Sequence, residues 1–168
     1  TLLAEVIVQA AFRLSQKWLN QRYGEVRNSL GESGQFAIIG LGKLGGSELT
    51  YFSDLDLIFI HSGDGTTNGV RKIDAQEYWI KLIQRLISSL STMTRTGYAY
   101  KLDARLRPSG NAGVLVTPLD VYLKYHEKSQ PWEHQALIKG RVIGGSGETQ
   151  WIQEVEKGIR SAVYDWMP

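Results

Sequence analysis

The chain has 168 residues, 42% of them hydrophobic and 21% charged, which suits one packed core with a helical appendage rather than two full domains. Nineteen basic residues stand against 17 acidic ones for a net charge of +2, a balance that excludes a nucleic-acid groove legible from composition, so any positive field must be local. Cysteine is absent, which excludes disulfides and thiolate zinc sites and makes the cytoplasm the default expectation; no apolar stretch reaches membrane-spanning length, and the start, Thr1 to Ile7, has no initiator methionine or leader, as in an excised fragment of a larger protein.

From Leu2 to about Tyr23, Leu3, Val6, Ile7, Ala10, Ala11, Leu14 and Trp18 recur at three- and four-residue steps, predicting an amphipathic helix. Gly31, Ser33 and Gly34 break that pattern, and Phe36 to Ile39 reads as a short buried strand. A glycine-rich connection follows, then a second strand over Leu55 to Ile60. Gly63 to Gly69 reads as a loop, and Asp74 is placed to cap a helix in which Tyr78, Ile80, Leu82, Ile83, Leu86, Ile87 and Leu90 face inward, with Glu77 at the capping-box position.

Gly97 to Arg107 alternates as a strand does, with Tyr98, Tyr100, Leu102, Ala104 and Leu106 on one side and Lys101, Asp103, Arg105 and Arg107 on the other. A turn at Pro108 to Asn111 is expected to end it. Val114 to Val116 suggests a further strand, Pro118 opens a helix to about His126, and Pro131 opens another through Arg141. Gly144, Gly145 and Gly147 close that part, and a last amphipathic helix runs to the end. This order fits an α+β domain.

Gly40, Gly42 and Gly45 satisfy the spacing of a dinucleotide fingerprint after a strand. Only seven residues separate Gly46 from Asp54, too few for the parallel crossover that a dinucleotide fold requires. Lys43 stands before the glycine pair, so a P-loop does not fit either. What remains is a strand, a glycine turn and one helical turn over Ser47 to Leu49, whose backbone amides could face phosphate oxygens. The plainer alternative is a tight turn that needs positive backbone dihedrals.

Asp54 and Asp56 leave the same face of a strand start, and two like charges there repel unless a divalent cation turns the repulsion into coordination. Asp103 could supply a third acid, enough for two metal ions. The alternative is a solvated strand entry or a pair of turn caps. Arg105 and Arg107 could receive a triphosphate or steady the carboxylates by ion pairing. His61, His126 and His134 are scattered, with no spacing that suggests zinc or a nucleophilic triad, and Lys139 and Arg141 read as the basic end of the helix that begins near Trp132.

Gly42-Lys43-Leu44-Gly45-Gly46-Ser47-Glu48-Leu49 followed by Ser53-Asp54-Leu55-Asp56-Leu57-Ile58-Phe59 resembles the bacterial glutamine synthetase adenylyltransferase/adenylyl-removing enzyme family. The resemblance continues through Asp103-Ala104-Arg105-Leu106-Arg107-Pro108-Ser109-Gly110 and Trp132-Glu133-His134-Gln135-Ala136-Leu137, and so covers almost the whole chain. It implies a polymerase-β-like nucleotidyltransferase fold, a small mixed or antiparallel sheet flanked by helices, with C-terminal helices. The implied division is a helix packing on the core over 1–30, a catalytic core over 31–145 and the start of a helical region over 146–168.

The resemblance further implies transfer of AMP from ATP to a tyrosine of glutamine synthetase, and the motifs look more like the C-terminal, adenylylating copy than the adenylyl-removing one. Asp54, Asp56 and Asp103 match the metal-binding and catalytic acids, with two magnesium ions as cofactors. Gly46 and Ser47 match the phosphate-facing turn, and Lys43, Gly45, Arg105 and Arg107 join them as nucleotide-binding candidates. Glutamine synthetase is the implied protein substrate, and a PII-type nitrogen signalling protein the implied partner of a full-length enzyme. Lys139-Gly140-Arg141 departs from the alanine-containing form expected there. Three alternatives stay open: the adenylyl-removing domain, a nucleotidyltransferase acting on nucleic acid, against which the near-neutral charge argues, and a regulatory module that binds nucleotide without turnover.

Overall fold

The structure is a computed structural model that describes residues 1–95 and 97–164. In chain order the elements are α1 (Leu2–Tyr23), β1 (Val26–Arg27), β2 (Phe36–Gly40), α2 (Gly42–Gly45), β3 (Leu55–His61), β4 (Thr66–Thr67), α3 (Ala75–Ser91), β5 (Leu102–Asp103), a 3₁₀ turn (Gly110–Ala112), β6 (Thr117–Pro118), α4 (Leu119–His126), α5 (Pro131–Leu137), β7 (Arg141–Ser146) and α6 (Thr149–Tyr164). The architecture is α+β, a small mixed sheet flanked by helices. Expected helix beyond Tyr164 lies outside the described residues.

The main sheet runs β5-β3-β2-β7, with β6 also on β3, while β1 and β4 form a separate antiparallel pair. β2 pairs antiparallel with β3 and with β7. The short connection after Gly46 therefore returns the chain as a neighbour strand, as its length demands. β5 and β6 both pair parallel with β3, at its start and its end respectively.

The two central strands are buried on both faces, which is why they read as unbroken apolar runs. Phe36, Ile38, Leu55, Leu57 and Phe59 pack with α1 and α3. Ala37, Ile39, Ile58 and Ile60 pack with residues of α4, α5 and α6, among them Tyr122, Leu137 and Trp151. In α3 the Asp74 side chain accepts the Glu77 N–H at 2.8 Å, the cap expected from sequence. Among the described residues no helix is long and apolar enough to cross a membrane.

Several expectations are corrected. In α1 the buried residues are Ala4, Val8, Phe12, Ser15, Leu19 and Tyr23, whereas Leu3, Val6 and Leu14 are exposed. Trp18, also partly exposed, lies under the Arg85 guanidinium, 4.1 Å from its ring centroid. The strand expected over Gly97 to Arg107 is reduced to Leu102–Asp103, because the chain turns where the Arg105 N–H bonds back to the Asp103 carboxylate at 2.8 Å. The strand expected over Val114 to Val116 falls instead at Thr117–Pro118.

The helix opened by Pro131 ends at Leu137, and Arg141–Ser146 is an edge strand where a helix end and a glycine closure were expected. Its glycines allow close approach. A Cβ on Gly144 would sit 2.2 Å from Gln9 Oε1, and Gly145 (φ 127°) lies against the Phe36 carbonyl. Gln9 donates to the Gly145 carbonyl at 2.9 Å and accepts its N–H at 2.7 Å, tying α1 to the strand.

Two of the three histidines meet, while His61 is bonded separately to Gln76 and Gly63. His126 and His134 are buried with ring centroids 5.8 Å apart. The Ser129 hydroxyl lies 3.0 Å from both His126 Nδ1 and His134 Nε2, and His134 Nδ1 lies 2.6 Å from the Ala162 carbonyl. A carbonyl can only accept, so with both rings neutral the proton on His134 sits on Nδ1, Ser129 donates to His134 Nε2, and His126 Nδ1 donates to Ser129. That leaves His126 Nε2 as a buried acceptor without a partner among the described residues, and the Tyr122 hydroxyl is likewise unpartnered among them. Burial pushes the His126 pKa down to about 4.

Candidate active site

At the start of β3, Asp56 and Asp103 come side by side, with Asp54 two residues before Asp56. Asp54 precedes the strand, and Asp56 follows Leu55 on the face it shares with Ile58 and Ile60. The parallel register of β3 with β5 makes Asp103 the partner of Asp56, one strand spacing away. Burial, then the charges of Asp103 and Asp54, push the Asp56 carboxyl above the usual carboxylate range. Asp103 moves the other way, held down first by its hydrogen bonds from Arg105.

Arg105 grips Asp103. Its Nε lies 3.0 and 2.9 Å from the two carboxylate oxygens, and its Nη2 donates to Oδ2 at 2.5 Å. Arg107 is engaged elsewhere, donating to the carbonyls of Ala104 at 2.7 Å and Gly113 at 3.3 Å, so it braces the loop after β5. Of the two arginines only Arg105 hydrogen-bonds Asp103, while the charge of Arg107 still helps to hold that carboxyl down.

The glycine turn lies against this acidic end. Its helical turn is Gly42–Gly45 rather than the expected Ser47 to Leu49. Gly42 (φ 52°) is where glycine is required: a Cβ there would stand 2.6 Å from Asp56 Oδ2. Gly45 serves packing, since a Cβ would meet the Lys139 carbonyl at 2.1 Å. The amides expected to face phosphate are engaged internally, Gly45 N–H with Leu41 O, Gly46 N–H with Gly42 O and Ser47 N–H with Leu44 O. The exposed polar side chains of this stretch include Lys43, Ser47 and Glu48.

Lys139 and Arg141 do not close a helix. Lys139 donates to Glu48 at 2.7 Å, and Arg141, at the start of β7, donates to Gly45 O at 2.8 Å and to Leu44 O and Ser47 Oγ at 3.2 Å, with a further ion pair to Glu5. Arg141 thus adds a side-chain donor to the carbonyls at the C-terminal end of α2, of which Leu44 O also accepts the Ser47 N–H. Sequence reasoning missed this role, for which the signal was a cation followed by Val142-Ile143 and two glycines, a strand start mistaken for a helix end.

A metal would find suitable chemistry here, three hard carboxylates of which one is half-buried and repelled by the others. Among the described residues no three acidic or imidazole groups stand close enough to hold an ion as placed.

The family model for glutamate-ammonia ligase adenylyltransferase matches residues 1–156. The chain belongs to that family. It is also similar to a bifunctional glutamine synthetase adenylyltransferase/adenylyl-removing enzyme of Alteromonas mediterranea, with 46% identity over 169 residues. That alignment covers 98% of this chain and 17% of the relative, so the chain spans about one sixth of its length. In this member of the glutamate-ammonia ligase adenylyltransferase family, the acids, the glycine turn and the strand that braces it all fall within the matched residues.

Proposed function

We propose that this chain is the adenylylating catalytic domain of a glutamine synthetase adenylyltransferase, which moves AMP from ATP to a tyrosine hydroxyl of glutamine synthetase and releases pyrophosphate. The observation that carries this reading is the register of Asp56 with Asp103 beside Gly42, in a chain of this family. The relative's printed name supports the substrate class but covers both adenylylation and adenylyl removal. The preference for adenylylation rests on the motif resemblance.

Asp54, Asp56 and Asp103 would hold two magnesium ions, which when bound neutralise the charge gathering on the departing pyrophosphate. Lys43 and the Ser47 hydroxyl, on the turn formed by Gly45 and Gly46, contact the polyphosphate, and Arg105 joins them. Arg107 acts at one remove by holding the loop after β5. The phenolic oxygen bonds to the α-phosphorus as the bond to the β-phosphate oxygen breaks. A phenol with a pKa near ~10 needs a proton acceptor at neutral pH, and Asp103 takes that proton once Arg105 has left it.

The same reading divides the chain at residues 30 and 145: α1 packs on α3 and β7, and α6 on α4 and α5, around a catalytic core over 31–145. It also places the protein in the cytoplasm, with a PII-type signalling protein as a partner of a full-length enzyme. Two incubations test it. Unmodified glutamine synthetase with ATP and magnesium is expected to gain AMP on tyrosine. AMP-modified synthetase with phosphate is expected to release no ADP; release there without transfer in the first would assign the removing activity instead.

A further inference from the structure

Asp103 receives four hydrogen bonds from a single residue: the Arg105 backbone N–H, two contacts from Nε and one from Nη2. The planar guanidinium covers both carboxylate oxygens, the same lone pairs that a divalent cation would use. Asp103 is also the register partner of Asp56, so whatever occupies Asp103 decides whether the two acids can act on one ion. Little else holds Arg105, whose side chain is 71% exposed. Asp103 is largely covered, 17% exposed, but its partner reaches it from solvent, so the guanidinium can leave without disturbing the fold.

We infer that Arg105 is an internal cation lock, keeping Asp103 out of metal coordination until a polyphosphate draws the guanidinium away. The inference rests on the proposed assignment of the three acids. A polyphosphate offers the same fork a bidentate partner of higher charge. Transfer of Arg105 from carboxylate to phosphate frees Asp103 at the moment the nucleotide arrives. Metal and nucleotide then favour each other's binding by the same factor, as linkage requires. Arg107, tied to two backbone carbonyls, has no such freedom.

The test is a titration with manganese, a paramagnetic substitute for magnesium, followed by electron spin resonance with and without a non-hydrolysable ATP analogue. Without nucleotide, Arg105→Gln is expected to bind manganese about tenfold tighter than the wild type, and the tightening caused by the analogue is expected to shrink by a similar factor. Arg105→Lys keeps the charge but loses the fork, and is expected to fall between the two. A lock is overturned if Arg105→Gln matches the wild type. It is equally overturned if Arg105→Lys matches the wild type while Arg105→Gln binds tighter, since a charge acting through space then explains everything. Asp56→Asn and Asp103→Asn are expected to abolish binding in the presence of the analogue. If both bind as the wild type does, the acid assignment itself fails; if they lose binding and the arginine variants change nothing, only the lock fails.

Discussion

Asp56 and Asp103 face each other as register partners on the parallel strands β3 and β5, yet their carboxyls shift in opposite directions, Asp56 upward and Asp103 downward. On the first, burial and like charge outweigh the opposing pull of Arg105 and Lys43, whereas the second is hydrogen-bonded by Arg105 directly. An ionised Asp56 therefore works against folding at neutral pH, the usual cost of a preorganised charged site. Asp56→Asn is expected to raise the melting temperature. Asp103→Asn, which loses a partly exposed ion pair, is expected to shift it little. Calorimetry of the three proteins at pH 7 decides the matter, and a fall for Asp56→Asn would contradict the like-charge account.

Gly42 and Gly31 allow backbone strain and site geometry to be separated. Both have positive φ, 52° and 82°, but a Cβ at Gly31 meets nothing within 4 Å, whereas one at Gly42 would press on Asp56. Each alanine variant is expected to lose about 1–2 kcal/mol from strain. Only Gly42→Ala is expected to lose AMP transfer, by about 10²-fold or more. Equal activities at matched stability would show that the contact with Asp56 does not matter.

Arg141 ties the end of α2 to β7 and, through Glu5, to α1. Arg141→Ala leaves those turn carbonyls without this donor and is expected to cost about 2 kcal/mol. Arg141→Lys, which has one donor group in place of a fork, is expected to recover only part of that. Denaturant unfolding measures both, and an unchanged midpoint would remove Arg141 from the support of the turn.

The central strands and the acid pair were legible because burial on both faces leaves an apolar run, and Asp-x-Asp interrupts it at a strand entry. Connection length then dictated an antiparallel neighbour. β7 was hidden because its two glycines carry no pattern, and their partners Gln9 and Phe36 are more than a hundred residues away in sequence. β5 was overextended because alternation continues to Arg107 while the backbone turns after Asp103, held by side-chain bonds that periodicity does not encode. In α1 apolar residues occur on both faces, so spacing alone selected the side that is exposed. His126 and His134 meet only because Ser129 bridges them across the α4–α5 turn.

That buried pair sets an acid limit. The His126 pKa falls from its ordinary 6.5 to about 4 in the fold, mainly through burial and secondly through His134. As pH drops below 6.5 the unfolded chain takes up a proton that the folded one refuses, so stability is lost between 6.5 and about 4. The loss should approach about 3 kcal/mol at the lower end. Urea unfolding across that range is expected to show a slope that is flattened in His126→Gln. An equal slope in the variant would assign the acid sensitivity to other groups.

Transfer of label from ATP carrying radioactive α-phosphate to a tyrosine of unmodified glutamine synthetase, with wild-type protein and with Asp56→Asn, tests the proposed chemistry most directly. The wild type is expected to label the synthetase, and the variant, folded and at least as stable, to do so about 10³-fold more slowly or not at all. Labelling by Asp56→Asn at close to the wild-type rate would contradict the account.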